Sequence, residues 1–125
     1  GIDSKTGRKA LLNADFVISP LKPSQADLDT VLDLDDIMQE AKSINKKLKS
    51  FCVLNMCATH PKDKERAESL ELLQQAGLKS TVIEEPIFDR KILRTSFSEG
   101  GSCFEVKANK SADEIAVVLQ KILGV

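Results

Sequence analysis

The chain has 125 residues, of which 42% are hydrophobic and 30% are charged, as is ordinary for one soluble globular domain. Its 18 basic and 19 acidic side chains give a formal net charge of −1, which argues against a protein that coats nucleic acid over its whole surface. No apolar run approaches the roughly 20 residues that span a bilayer, so we expect a single cytoplasmic domain over residues 1–125 without a membrane segment.

The first two predicted elements are a short helix and a strand. Residues 4–14 favour a helix with its apolar side chains on one side: Ala10, Leu11 and Ala14. Residues 16–21 are a continuous apolar run, which is typical of a strand covered on both faces in a parallel sheet. Pro20 and Pro23 are expected to stop this strand, because proline has no backbone N–H for the ladder.

A long amphipathic helix is predicted next. Ser24 is a good N-cap, and Asp27 places a carboxylate in the first turn. The apolar positions recur at helical spacing and are expected to face inward: Leu28, Val31, Leu32, Met38, Ala41, Ile44 and Leu48. The aspartates of this helix suggest a cation site at first sight, but compensation of the helix dipole and solvation explain them without one.

Two further strands flank a second amphipathic helix. Residues 51–54 form a buried strand, Asn55 lies at its carboxyl end, and His60 falls in an exposed turn. The helix that follows ends at Gly77, a typical residue just past a helix C-terminus. Its expected inward residues are Ala67, Leu70, Leu73 and Ala76. Residues 80–83 form a shorter, β-branched strand.

The remaining chain is predicted to hold two helices. The inward residues of the first are expected to be Ile92, Leu93, Ser96 and Phe97. Ser111 is expected to cap the second, whose inward residues are Ala112, Ile115, Ala116, Leu119, Ile122 and Leu123. Strands that alternate with helices imply right-handed crossovers, so the expected fold class is α/β, with three parallel strands flanked by helices.

The three cysteines lie in apolar or strand-like stretches, and their odd number leaves at least one unpaired. We expect Cys52, Cys57 and Cys103 to be buried free thiols, although Cys57 could line a cleft beside Asn55. One histidine and the lack of a C-x-x-C motif give no support to a structural zinc site.

A nucleotide-binding α/β domain normally has a glycine-rich phosphate loop, yet neither G-x-x-x-x-G-K-[ST] nor G-x-G-x-x-G occurs in this sequence. Three parallel strands make a narrow sheet, and an apolar edge such as 16–18 is normally paired or covered. We therefore expect the chain to be the back half of a larger domain. Its edge would be satisfied by a segment preceding Gly1 or by another copy of the chain.

Several stretches, taken in order, resemble the ParA-type partition ATPases, a P-loop family of the ParA/MinD group with a deviant Walker motif. They are GIDS (1–4), RKAL (8–11), ADFVISP (14–20), PSQADLDT (23–30), VLN (53–55), the stretch 89–100, FE (104–105) and SADEI (111–115). Gly1 resembles the glycine of the family's magnesium-side D-x-x-G signature. The family's phosphate-loop lysine and magnesium-side aspartate would precede Gly1.

This resemblance implies a partial P-loop NTPase layer and a parent protein that is an ATP-dependent DNA partition ATPase. The parent would use ATP and magnesium, form a homodimer, bind nonspecific DNA of the nucleoid and respond to a centromere-binding partner. Phosphoryl transfer depends on the phosphate loop and its metal. We therefore expect this chain alone to bind neither cofactor and not to hydrolyse ATP.

The resemblance also implies roles for individual residues. Asn55 would contact adenine, although an asparagine that holds its own loop is the alternative. Ile87, Phe88 and Asp89 follow the third strand, where similar proteins pack against adenine, and the alternative is a plain strand-to-helix connection.

Arg90, Lys91 and Arg94 form a basic cluster in a region where family members hold DNA, and a solvated charged face is the alternative. For the chain as a whole, one alternative is a non-catalytic α/β module that binds protein or DNA. Another is a small-molecule-binding domain of different lineage, with Asn55 and Asp89 in its cleft.

Overall fold

The computed structural model describes residues 5–125, so the GIDS motif at 1–4 lies outside the described residues. The helices are α1 (Lys5–Asn13), α2 (Gln25–Ile44), α3 (Glu65–Gln75), α4 (Lys91–Ser98) and α5 (Lys110–Leu123). The strands are β1 (Phe16–Leu21), β2 (Lys49–Leu54) and β3 (Thr81–Ile83). A short 3₁₀ turn, Cys103–Glu105, lies between α4 and α5.

The three strands form one parallel sheet in the order β1-β2-β3. Ile18 lies opposite Phe51 in the β1–β2 register, and Cys52 lies opposite Val82 in the β2–β3 register. The α/β class with three parallel strands flanked by helices is therefore confirmed.

Successive side chains of a strand point to opposite faces, so each face of the sheet has its own core. On one face, Cys52 and Leu54 pack in a cluster with Leu28 and Val31 of α2 and Leu73 of α3. The other face is covered by α5, in a cluster of these residues: Phe51, Val53, Ile83, Val118 and Ile122. The helices α2 and α3 therefore lie on the opposite side of the sheet from α5.

Strand β1 is an edge, since within residues 5–125 it pairs only with β2. The Asp15 and Leu21 carbonyls accept from the backbone N–H groups of Lys49 and Asn55, at 2.9 and 2.8 Å. Backbone groups alternate in direction along a strand, so positions 16, 18 and 20 direct theirs toward the open edge.

This alternation explains why the strand continues through Pro20 to Leu21, against the prediction that Pro20 stops it. The N–H that proline lacks would have pointed away from β2, where a ladder bond is not needed. Phe16 and Ile18 are 41% and 44% exposed, so the prediction that this strand is covered on both faces is wrong for the described chain.

The C-terminal cap of α2 is Asn45, for which the sequence predicted no role. The buried Asn45 side-chain amide donates to the Leu11 carbonyl at 2.9 Å and to the Ala14 carbonyl at 2.8 Å. The helix therefore ends at Ile44, and Leu48 is buried in the turn that follows rather than on a helix.

Other details of the helices also differ from prediction. The residues expected to face inward but found exposed are Ala10, Leu32, Ile44, Ala67, Ala76, Phe97, Leu119 and Leu123. The N-cap of α5 is Asn109, whose Oδ1 accepts from the Ala112 N–H at 2.9 Å, and not Ser111. Ser111 is instead fully buried, and its Oγ has no hydrogen-bond partner among the described residues.

Candidate functional site

A cleft of about 490 Å³ lies where the carboxyl ends of β1 and β2 meet the segment that follows β3. It is lined by Lys22, Pro23, Ser24, Met56, Ala58, Thr59, His60, Glu65 and Asp89. Ligands of open parallel α/β sheets bind outside the carboxyl ends of the strands, so this is the candidate site. A smaller groove, of about 300 Å³ and lined mainly by apolar side chains, lies between α2 and α3.

The segment 87–89, whose last residue Asp89 lines the cleft, is held by a continuation of the strand ladder. The Ile87 N–H donates to the Leu54 carbonyl at 2.9 Å, and the Cys57 N–H donates to the Ile87 carbonyl at 3.1 Å. The Asp89 N–H then donates to the Cys57 carbonyl at 2.8 Å. These bonds carry the chain past the end of β3 and place Asp89 at the cleft.

The β1 side of the cleft is built by the N-terminal cap of α2. Ser24 Oγ accepts from the Asp27 N–H at 3.3 Å, and Asp27 Oδ2 accepts from the Lys22 N–H at 2.8 Å. The predicted N-cap role of Ser24 is confirmed. Lys22 was not predicted to be a site residue, although its position directly after an apolar strand is the signal that could have found it.

Met56 is the second cleft residue that sequence reasoning missed. Its φ of 53° lies in the left-handed region, which is uncommon for a residue with a Cβ, and its side chain is 48% exposed. Such a conformation costs on the order of 1–3 kcal/mol and persists only where the surroundings impose it. Nothing in the sequence marks a methionine for this conformation.

Asn55 lies at the carboxyl end of β2, as predicted, but it is not among the residues that line the cleft. Its backbone N–H completes the β1–β2 ladder. Its half-buried side-chain amide makes no hydrogen bond within residues 5–125, so the amide is not committed to holding its own loop. The adenine contact stays a prediction.

The other three predicted nucleotide contacts are separated by the structure. Ile87 packs against the cluster under α5, Phe88 packs against the cluster on the α2 face, and Asp89 alone lines the cleft. A contact between Ile87 or Phe88 and a base would therefore use backbone atoms or the rims of these side chains. Their roles stay predictions.

Arg90 joins the cleft wall to α5. Its Nε and Nη2 donate to the two carboxylate oxygens of Glu114 at 3.1 and 2.8 Å, in a pair of which only 26% and 19% of the side chains are exposed. The hydrogen bonds that Arg90 donates to Glu114 raise the pKa of Arg90. Its guanidinium also lies 5.2 Å from the Phe88 ring centroid, and that of Arg66 lies 5.8 Å from the same centroid.

Of the predicted basic cluster, Lys91 alone keeps its charge outside an ion pair within the described chain. Arg94 Nη1 lies 2.5 Å from Asp89 Oδ1, in an exposed pair that neutralises both side chains. The DNA-binding role of Arg90, Lys91 and Arg94 stays a prediction.

The three cysteines are free and buried, as predicted. Burial raises the pKa of Cys57 to about 11, so it is a neutral core thiol and not a cleft nucleophile.

The exposed His60 lines the cleft, and its Nδ1 accepts from the Lys62 N–H at 3.1 Å. Within residues 5–125 no group of three or more potential ligands could hold a metal ion, and no helix is long and apolar enough to cross a bilayer.

Comparison with known proteins gives one informative relationship. The chain is 27% identical over 115 residues to "Maintenance of carboxysome distribution protein A" of Halothiobacillus neapolitanus. The alignment covers 90% of this chain and 51% of that protein, so the chain spans about half the length of the curated relative it matches. This weak homology supports a relationship to the ParA family at most, and it does not reach plasmid partition in particular.

No family model matches the sequence, and no solved structure matches the fold.

Proposed function

We propose that this chain is the adenine-side and partner-facing portion of a ParA-type ATPase that segregates or positions a cargo, as in ATP-dependent DNA partition. The observation that carries the proposal is the similarity along 90% of the chain to a protein named for maintaining carboxysome distribution. A parallel sheet with a cleft at its carboxyl edge is the architecture that such a nucleotide site requires.

In the proposed complex, adenine lies near the carboxyl end of β2. The uncommitted amide of Asn55 offers both a donor and an acceptor for a base edge. Asp89 lines the opposite side of the cleft, and Lys22 contributes a positive charge from the β1 side. The chain's own residues thus bind and orient the base.

Catalysis in the proposed parent needs groups that this sequence does not contain. Phosphoryl transfer is mainly positioning and charge stabilisation by a phosphate loop with its lysine and by magnesium. We propose that a segment supplying them pairs with the open edge of β1, where positions 16, 18 and 20 direct their backbone groups outward. The chain alone would then not hydrolyse ATP.

The proposed parent acts as a homodimer that binds nonspecific DNA and a centromere-bound or cargo-bound partner. Lys91, with its free charge, is the strongest DNA-contact candidate of the basic cluster, because Arg90 and Arg94 are already held by carboxylates. A phosphate contact by Lys91 would weaken with salt.

Nucleotide binding by the full-length parent protein tests this proposal. A fluorescent ATP analogue should bind with magnesium, and Asn55→Ala should weaken its binding several-fold without a change in thermal stability. Asn13→Ala is the matched control, since Asn13 is an exposed asparagine of α1. Equal affinity in the Asn55 and Asn13 variants would remove the adenine role, and a parent that binds no nucleotide would leave a non-catalytic binding module.

A further inference from the structure

A small groove between α1 and α2 opens toward the amino ends of the strands, away from the proposed nucleotide cleft. Leu11 and Ala41 are buried at its base, whereas Leu12 and Ile44 are 40% and 71% exposed on its walls. Its volume is about 150 Å³. A space of that size holds about one benzene-sized group and is smaller than most small-molecule sites, so the groove suits one apolar side chain.

Five lysines lie beside this groove, around the amino ends of β2 and β3, and we call them the basal lysine face: Lys42, Lys46, Lys47, Lys49 and Lys79. Lys42 Nζ donates to the Lys79 carbonyl at 3.2 Å. Ser80 Oγ donates to Ser50 Oγ at 2.8 Å, so the two lysines that precede these serines lie on neighbouring segments. The second and third residues after Ile44 are also lysines of this face, which joins the face to the groove.

Most of the positive charge of the basal lysine face has no acidic partner. Lys47 Nζ is paired with Asp15 Oδ1 at 3.1 Å. A second aspartate, Asp35, is held by the backbone N–H groups of Lys79 and Ser80 at 2.9 and 3.2 Å. The lysines of the face that form no ion pair within residues 5–125 are Lys42, Lys46, Lys49 and Lys79. Since the whole chain has a net charge of −1, positive charge is concentrated here.

We propose that the α1–α2 groove and the basal lysine face together dock an acidic segment of a partner protein that carries one apolar anchor. The anchor would lie between Leu12 and Ile44, as a side chain that fills a pocket at the centre of an interface. Glutamate or aspartate side chains beside the anchor would meet the lysines, which favours fast, salt-sensitive association. Glu40 also lines the groove, but its charge is compensated by Arg8 at 3.4 Å.

The combination of charge and shape selects this occupant over others. A nucleic acid would bring phosphates to the lysines but would leave Leu12 and Ile44 facing a charged backbone. A purely apolar ligand would cover the groove and leave the lysines without compensation. A flat anionic bilayer would meet the lysines without filling a concave groove. The proposal goes beyond the nucleotide function and does not rest on it, so the experiment is done without nucleotide.

The probe is a fluorescein-labelled peptide with one leucine between two short runs of glutamate, titrated against the 125-residue chain and followed by anisotropy. One control peptide has serine in place of the leucine, and another has lysine in place of every glutamate. A DNA duplex and vesicles of phosphatidylcholine with phosphatidylglycerol are tested in parallel. Backbone amide NMR shifts locate the contact, and circular dichroism verifies that each protein variant is folded.

We expect Lys46→Glu/Lys49→Glu to weaken binding of the acidic peptide by about tenfold and to reduce its salt dependence, because the variant reverses two charges of the face. Its matched control is Lys107→Glu/Lys110→Glu, which reverses two exposed lysines outside the face and should leave binding nearly unchanged.

The apolar part of the proposal has its own pair of variants. Ile44→Ser should weaken binding several-fold, since it removes one wall of the groove. Leu123→Ser is the matched control, because Leu123 is also an exposed apolar residue that ends a helix, and it should leave binding unchanged. The serine peptide should bind as weakly to the unaltered chain as the leucine peptide binds to Ile44→Ser.

Three results would overturn the proposal. They are equal binding by the two lysine variants, equal binding of the leucine and serine peptides, and amide shifts that fall outside α1, the end of α2 and the basal lysine face. DNA or vesicles that bind this face more tightly than the acidic peptide would assign it to phosphate groups instead of a protein partner. Failure of nucleotide binding in the parent protein would leave the proposal standing.

Discussion

The amide of Asn45 should be worth a large share of the stability of this domain. Its two donated hydrogen bonds, to the Leu11 and Ala14 carbonyls, are made at a site that is 7% exposed. Each buried hydrogen bond contributes about 0.5–1.5 kcal/mol net, and an acceptor left unsatisfied adds to the loss. We expect Asn45→Ala to lower the free energy of unfolding by about 2–4 kcal/mol.

The near-isosteric Asn45→Asp is the sharper perturbation, because it replaces a donor by a charge that faces two carbonyl oxygens. We expect a loss at least as large as that of Asn45→Ala. Asn13→Asp is the control, because Asn13 makes one exposed bond to the Lys9 carbonyl at 3.0 Å and should change stability by less than about 0.5 kcal/mol.

Urea unfolding followed by far-UV circular dichroism measures these differences, since the chain has no tryptophan or tyrosine for fluorescence. An Asn45→Asp variant as stable as Asn13→Asp would refute the reasoning. It would mean that water replaces the amide at no cost and that α1 is not held by this side chain.

Three further predictions use the same unfolding assay. Ser111→Ala should raise the free energy of unfolding by about 1 kcal/mol, because it removes a buried hydroxyl without a hydrogen-bond partner. An unchanged or lowered free energy of unfolding would mean that Ser111 Oγ does have a partner. Met56→Gly should raise the free energy of unfolding by up to about 1 kcal/mol, because glycine adopts the left-handed φ without strain. Met56→Ala should give no such increase, and equal free energies for the two variants would exclude backbone strain at this position. Burial raises the pKa of Cys52 and of Cys57 from 9.0 to about 11, so the unfolded chain ionises first and the free energy of unfolding should fall between pH 9 and pH 11. This decrease in the free energy of unfolding with pH should be smaller in the Cys52→Ala/Cys57→Ala variant. The same pH dependence in the variant and the unaltered chain would contradict the raised pKa of the buried thiols.

Features determined by local physical chemistry could be predicted from the sequence. The apolar runs of β1 and β2 indicated a parallel sheet, Ser24 marked the start of α2, and Gly77 marked the end of α3 with a φ of 68°. Each of these signals depends on a few consecutive residues, so no tertiary contact was needed to interpret it.

Features determined by long-range contacts could not be predicted. Asn45 looks like a polar residue on an amphipathic helix, and only its contacts with Leu11 and Ala14 show that it ends α2. At the start of α5, Ser111 was predicted to be the cap, but Ser111 is buried in the structure and Asn109 caps the helix instead.

The candidate site shows the same division. Its place at the carboxyl ends of the strands follows from the fold class, whereas the roles of Asn55 and Asp89 were implied by the family resemblance and stay predictions. Asp89 lines the cleft, and Asn55 does not. Arg90 pairs with Glu114, which lies 24 positions away in the sequence. Its role as a partly buried structural ion pair therefore could not be seen from the basic cluster alone. Met56 was missed because its φ is imposed by the surrounding chain and not by its own side chain.

The Arg90–Glu114 ion pair connects the cleft wall to α5. Asp89 is part of the cleft wall, and the next residue is clamped by two hydrogen bonds to α5 on the far face of the sheet. A movement of that wall would therefore either move α5 as well or break the partly buried Arg90–Glu114 ion pair. The Arg90–Glu114 ion pair is thus the contact through which a displacement of the cleft wall would reach α5 on the other face of the sheet.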